Sequence, residues 1–176
     1  MILSKIKIKP FKDFRGKFYK LFSDTLYRKL KKKTFVEEIS ISFSKKKGTI
    51  RGLHYQRPPF AEDKIITCIR GSIFDVVIDI RKNSPSFLKV KTFYLKSSNC
   101  ESILIPKGYA HGFQTLEKNC SVLYFNTAKY KAEMQGNINP FSNVLNINWP
   151  IKKFILSNQD KKGIKINKYF KGLKIK

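Results

Sequence analysis

Two stretches hold most of the residues able to do chemistry. Residues 50–56 read Ile-Arg-Gly-Leu-His-Tyr-Gln and place Arg51 and His54 three apart, with Gly52 between them. An arginine fork can hold a phosphate, and a histidine can take a proton near neutral pH. The second stretch, Pro106-Lys-Gly-Tyr-Ala-His-Gly-Phe, carries His111, and the chain has two histidines in all. Residues three apart on an ideal strand point to opposite faces. Arg51 and His54 therefore serve one site only if Gly52 permits a twist or bulge. A lone strand histidine is more often structural than catalytic, but two of them converge if the strands close into a barrel. Lys64, at the start of a strand after Pro58-Pro-Phe-Ala-Glu-Asp, has a defined place near residues 50–56. Tyr130 and Asp160 carry little signal alone. A metal would need three or four ligands, and carboxylates at unmotivated spacings would have to complete the pair of histidines, so no metal is expected.

The elements that must position these residues are short strands. Period-two alternation marks 5–8, 36–43, 50–56, 64–69, 72–80, 87–95, 101–105, 112–116 and 121–126, at a spacing of about 8–12 residues that belongs to a sandwich or barrel. Within 72–80, Phe74, Val76, Ile78 and Ile80 share one face, while Asp75, Val77 and Asp79 share the other. Residues 18–22 read as a further short strand, and 23–33 as one short helix capped by Ser23 or Asp24 with a basic end. Asp13 and Gly16 supply a turn that presents Arg15. Residues 137–150, rich in Asn and Pro, read as loop, 151–156 as a short strand or helix, and the lysine-rich tail from about 161 as ordered or frayed.

The length of 176 residues fits one domain spanning 1–176, long enough to bury about two thirds of its unfolded surface. A hydrophobic content of 41% with 14% aromatics favours an ordered globule. The excess of 37 Lys and Arg over 12 Asp and Glu gives a net charge of +25. That charge admits nucleic acid, an anionic membrane surface or phosphorylated small molecules as partners. No helix-turn-helix, RNA-recognition or zinc-finger signature favours specific nucleic-acid binding. No apolar run reaches the roughly 18 residues of a spanning helix, and the first ten residues lack the apolar core of a signal peptide. Cys68, Cys100 and Cys120 show neither metal spacing nor an even count, which fits a reducing cytoplasm. A glycine-rich phosphate loop and a serine nucleophile elbow are both absent.

Taken together, several pieces resemble the dTDP-4-dehydrorhamnose 3,5-epimerase family, an all-β, cupin-type barrel or jelly roll with a few short peripheral helices. They are Phe11-Lys-Asp-Phe-Arg-Gly-Lys-Phe, Gly48-Thr-Ile-Arg-Gly-Leu-His-Tyr-Gln, Pro58-Pro with Lys64, Gly71-Ser-Ile-Phe-Asp-Val-Val-Ile-Asp-Ile-Arg, Ile105-Pro-Lys-Gly-Tyr-Ala-His-Gly-Phe, Thr127-Ala-Lys-Tyr and Leu156-Ser-Asn-Gln-Asp. The resemblance implies a cofactor-independent epimerase that acts at C3, C5 or both of a nucleotide-diphosphate 4-keto-6-deoxy sugar, dTDP-linked or a GDP-linked hexose or heptose, as a homodimer. It implies His54 as the base, oriented by Asp160, Lys64 at the enolate oxygen, and Tyr130 as the acid on the opposite face. It assigns Arg51 and Arg15 to the diphosphate and His111 with Asp75 to the sugar near its ketone. Phe18, Lys20, Ser40 and Gln56 complete the expected substrate contacts. Lys20 stands where the family pattern has glutamate, Ser40 where it has asparagine and Glu62 where it has glutamine, and Pro140-Phe-Ser replaces a Trp-x-Asp segment. These departures surround the substrate and leave the base and acid in place. The rival readings are a basic barrel that binds nucleic acid or an anionic surface without catalysis, and a metal-dependent cupin.

Overall fold

The computed structural model describes residues 2–23 and 35–175; the helix expected over 23–33 lies almost wholly outside them. Five strands form one antiparallel sheet: β1 (Ser4–Lys7), β4 (Glu38–Ser44), β6 (Lys64–Arg70), β9 (Glu101–Ile105) and β11 (Cys120–Asn126), in the order β1-β9-β6-β11-β4. The second sheet runs β12-β5-β10-β7-β8, from β5 (Thr49–Gln56), β7 (Ser72–Asp79), β8 (Val90–Lys96), β10 (Tyr109–Thr115) and β12 (Gln135–Asn137). To this sheet β13 (Ile155–Leu156) adds in parallel beside β5. A separate hairpin pairs β2 (Phe11–Asp13) with β3 (Gly16–Phe18). The helical elements are peripheral: two 3-10 turns, Ala132–Met134 and Asn143–Leu145, and one turn of α-helix, Asn158–Lys161. The two sheets face each other as a jelly-roll barrel, as the spacing of the strands predicts.

Alternation explains the packing. Ile73 and Val77 of β7, Phe113 of β10 and Leu95 of β8 meet Ile66, Ile103, Ile105 and Val122 of the facing sheet, all buried between the layers. The other face of β7 is equally dry: Phe74, Val76 and Ile78 lie under Ile138, Leu145, Trp149 and Ile166 from the C-terminal segment. The lysine-rich tail is thus ordered. Leu173 donates its amide to the Ile80 carbonyl at 2.6 Å, and Phe170 stacks on Phe87. Its lysines point to water while its scattered apolar residues cover the sheet. The acids of β7 are interior as well. Asp79, 1% exposed, receives Arg81, Ser84 and Ser86. Burial pushes its carboxyl up, but these donors outweigh burial and hold it far below the usual carboxylate range.

Several boundaries differ from the sequence reading. β10 starts at Tyr109, because Gly108, at φ +84°, closes the preceding turn and lets pairing with Asp79 begin at once. β8 starts at Val90, because Leu88 adopts φ +59° in the turn before it. The strand expected over 18–22 ends at Phe18, and Phe22 instead stacks on Phe125. All three cysteines are buried free thiols, and burial, then the neighbouring Cys120, pushes the Cys68 thiol up to about 12.

The feature that matters most for function lies between β5 and β10. His54 pairs with His111 and Arg51 with Phe113, so three steps on β5 oppose two on β10. That extra residue is a bulge at Gly52, which sits at φ +116°. A Cβ there would lie 2.6 Å from the His111 carbonyl oxygen and 2.7 Å from the Gly112 Cα. Gly52→Ala should therefore combine a strained backbone with a clash against an adjacent strand, costing about 2–5 kcal/mol. Thermal denaturation checks this, and a variant as stable as wild type would show that the crossing relaxes freely.

Candidate active site

The bulge turns Arg51 and His54 toward one side, where both line a hollow of about 350 Å³ together with Ser157 and Asp160. Asp160 lies in the helical turn Asn158–Lys161, whose N-cap Ser157 accepts the Asp160 amide at 3.0 Å. This cap, and the parallel pairing of β13 with β5 just before it, aim the carboxylate back at the barrel strand. His54 Nε2 lies 2.7 Å from Asp160 Oδ1, which also accepts Asn137 Nδ2 at 3.2 Å. Asp160 is 4% exposed. Burial pushes its carboxyl up, but the hydrogen bond and charge of His54 and the Gly52 amide more than offset this, so it sits below its ordinary value. An ionised carboxylate at Nε2 fixes the imidazole proton there and leaves Nδ1 as the free lone pair.

His54 is also the wall of a second cleft, of about 360 Å³, shared with Glu38, Ser40, Gln56, Glu62, Lys64, Tyr124 and Tyr130. Lys64, at the start of β6, carries its ammonium 3.0 Å from Glu62 Oε1. Tyr130 donates its phenol proton to Gln135 Oε1 and its amide to Glu38 Oε1. Ser40 opens onto the cleft from β4. Gln56 uses its amide to stitch the rim: its nitrogen donates to the carbonyls of Phe60 and Lys129, and its oxygen accepts the Lys131 amide. His111 and Asp75 form a buried pair at 2.6 Å, one layer behind the cleft, with the His111 ring edge-on to Tyr124.

His54, Lys64, Tyr130, Ser40 and Gln56 are thus brought together, with Asp160 and Arg51 directly behind His54. Arg15, Phe18 and Lys20 are not among them. Arg15 is paired with Asp13 within the β2–β3 hairpin, and Phe18 lines a separate, exposed hollow with it. Lys20 extends over the Phe11 ring. Arg51 is partly engaged, its Nε donating to Ser44 Oγ and its Nη2 to the Phe43 carbonyl. Sequence reasoning missed Tyr124, a half-buried phenol on the cleft wall whose pKa burial raises above the ordinary value. The signal for it was present, since alternation along β11 places Tyr124 on the same face as Val122 and Asn126.

A larger hollow of about 620 Å³, beside the loop that joins β7 to β8, holds none of these residues, and its acid, Asp79, is paired with Arg81. Among the described residues no three His, Cys, Asp or Glu side chains gather as a metal would require, and no helix is long and apolar enough to cross a membrane.

Known proteins match the chain over most of its length. A family model described as dTDP-4-dehydrorhamnose 3,5-epimerase matches residues 3–168. The chain is 36% identical over 156 residues to the dTDP-4-dehydrorhamnose 3,5-epimerase of Sinorhizobium fredii, covering 88% of this chain and 80% of that one. The crystal structure of the Bacillus anthracis dTDP-4-dehydrorhamnose 3,5-epimerase, with TDP and PPi bound, superposes with a TM-score of 0.89 at 33% identity, over 92% of this chain and 93% of that one. That of the dTDP-6-deoxy-D-glucose-3,5-epimerase of Legionella pneumophila, in complex with dTDP-4-keto-L-rhamnose, gives 0.85 at 34% identity, over 90% and 84%. With a matching model over most of its length and relatives above 30% identity, this cupin-type barrel belongs to the dTDP-4-dehydrorhamnose 3,5-epimerase family of sugar isomerases.

Proposed function

We propose that the protein inverts C3 and C5 of a dTDP-linked 4-keto-6-deoxy sugar by removing and returning a proton through an enolate. The observation that carries this reading is the His54–Asp160 pair on the wall of a cleft that also holds Lys64 and two phenols. A C–H beside a ketone is weakly acidic, so its removal needs a positioned base and a cation or donor at the developing oxyanion. His54 Nδ1 takes the proton, Asp160 stabilises the resulting imidazolium, and the Lys64 ammonium donates to the C4 oxygen as it becomes an enolate. A phenol on the opposite face then returns a proton to carbon, and the ketone re-forms. The ketone is the electron sink, so the scheme calls on no cofactor. Arg51 spends only some of its five N–H donors on Ser44 and Phe43, which leaves the rest for the diphosphate. His111, held by Asp75 behind Tyr124, supports the cleft at its ketone end.

Two phenols can supply the returning proton. Tyr130 follows from the family motif. Tyr124 is supported by its fixed place in the cleft wall, with its oxygen 3.3 Å from Ser42 Oγ and its ring against His111, whereas Tyr130 is 56% exposed.

A homodimer completes the reading. Strand β4 is inside out: Ile39, Ile41 and Phe43 are 63%, 61% and 52% exposed, while Ser40 opens onto the cleft. An apolar row on an edge strand is a surface awaiting a partner. The β2–β3 hairpin, with Phe11, Phe14 and Phe18 also exposed, carries the Arg15 and Phe18 that one chain keeps away from His54, and Lys20 follows just after it. A second copy can deliver them.

Incubation in D₂O with dTDP-4-keto-6-deoxyglucose should place deuterium at C3 and C5, with the GDP-linked analogue exchanging more slowly. His54→Ala should reduce exchange by about 10²–10⁴-fold; undiminished exchange in that variant, or none in wild type with any 4-keto nucleotide sugar, would sink the epimerase reading. Tyr124→Phe and Tyr130→Phe separate the acids. Loss of the true acid leaves deuterium entering from the His54 face while inversion falls at least about 100-fold, and a variant that inverts normally clears its tyrosine of the role. Sedimentation should report a dimer for wild type and a monomer for Ile41→Lys, since a charge on the apolar row cannot be buried unpaired. A monomeric wild type would refute the shared site.

A further inference from the structure

We propose that Glu62 dictates the direction in which the substrate lies, by cancelling the charge of Lys64 so that a diphosphate cannot settle at the sugar end of the cleft. This rests on the epimerase reading above. The two side chains are largely withdrawn from water, at 8% and 15% exposure, and their charged atoms are 3.0 Å apart. The backbone that carries them is pinned. The Asp63 amide donates to Thr127 Oγ1 at 2.9 Å, and Asp63 Oδ1 accepts the Lys107 amide at 2.8 Å. The neighbouring carboxylate, Glu38, is turned to the Tyr130 amide, so Glu62 is the acid that faces the ammonium.

Composition makes this placement informative. The chain has 12 acids against 37 lysines and arginines, and two of those few carboxylates, Glu38 and Glu62, line the cleft, of which Glu62 meets the Lys64 ammonium. A free ammonium at the end of a narrow cleft is a ready phosphate site. In so basic a protein a diphosphate is drawn from every side, and a substrate with a sugar at one end and two phosphates near the middle can enter either way round. Pairing Lys64 with Glu62 removes that attraction and keeps two of the three ammonium N–H groups for an uncharged ketone oxygen. Arg51, which has no carboxylate among its hydrogen-bond partners, then remains the favoured anchor for the diphosphate.

Glu62→Gln tests it, since the amide keeps the shape and an acceptor for Lys64 but frees the charge. Inorganic pyrophosphate, titrated calorimetrically, should bind at least about tenfold more tightly to Glu62→Gln than to wild type, with a steeper salt dependence. Reversed, non-productive binding should lower kcat and KM together. Glu62→Asp, which keeps the charge, should return the pyrophosphate affinity toward the wild-type value. Unchanged pyrophosphate affinity in Glu62→Gln, or a fall in kcat/KM at constant KM, would overturn the proposal, and matching melting curves exclude a folding defect. The titration needs no turnover, so its failure counts against Glu62 alone, whereas a wild-type protein that exchanges no sugar counts against the epimerase reading.

Discussion

The backbone of β5 passes within contact distance of β10 at Gly52 and Gly112, and the rest of the site depends on that approach. Neither position has room for a Cβ: one on Gly52 would strike the His111 carbonyl, and one on Gly112 the Arg51 carbonyl, 2.6 Å away. Because the strands touch here, the bulge can re-aim Arg51 without opening the sheet. The Gly52 amide, freed from the regular ladder, points 3.4 Å toward Asp160 Oδ2. One glycine thus sets the register of two histidines, the direction of an arginine and one contact to the carboxylate behind the proposed base.

Around this crossing the molecule divides its labour. Between the sheets, apolar side chains enclose the His111–Asp75 pair, which lies behind Tyr124. The cleft is lined by strand ends from both sheets, so its polar groups stand on rigid elements. Its rim is held by amides: Gln56 ties the loops around Phe60 and Lys129.

Much of this was legible in the sequence, because strands buried on one or both faces announce themselves by alternation and by the turn residues between them. Residues 50–56 stood out because the chain has two histidines and one of them shares a short strand with an arginine and a glycine. The tail was harder. Ile166, Phe170 and Leu173 follow no period, because they pack on a sheet rather than within one, and lysines between them mask the pattern. The resemblance assigned Arg15 and Phe18 to the substrate, but their separation from His54 within one chain is a property of tertiary arrangement that no local pattern carries. The pairing of Glu62 with Lys64 was hidden for another reason: among so many charges, adjacency in sequence says nothing about which ones meet.

The C-terminal segment has one more consequence. His54 stands on a strand from the first third of the chain, and Asp160, which fixes its tautomer, arrives 106 residues later on a turn tethered by β13 and by the cover over β7. A barrel lacking that cover would hold its histidine without orientation, whatever its substrate affinity. The proposed base and the carboxylate that faces it thus come from distant parts of the chain, and the outermost layer contributes to the site as well as to the cover over the sheet.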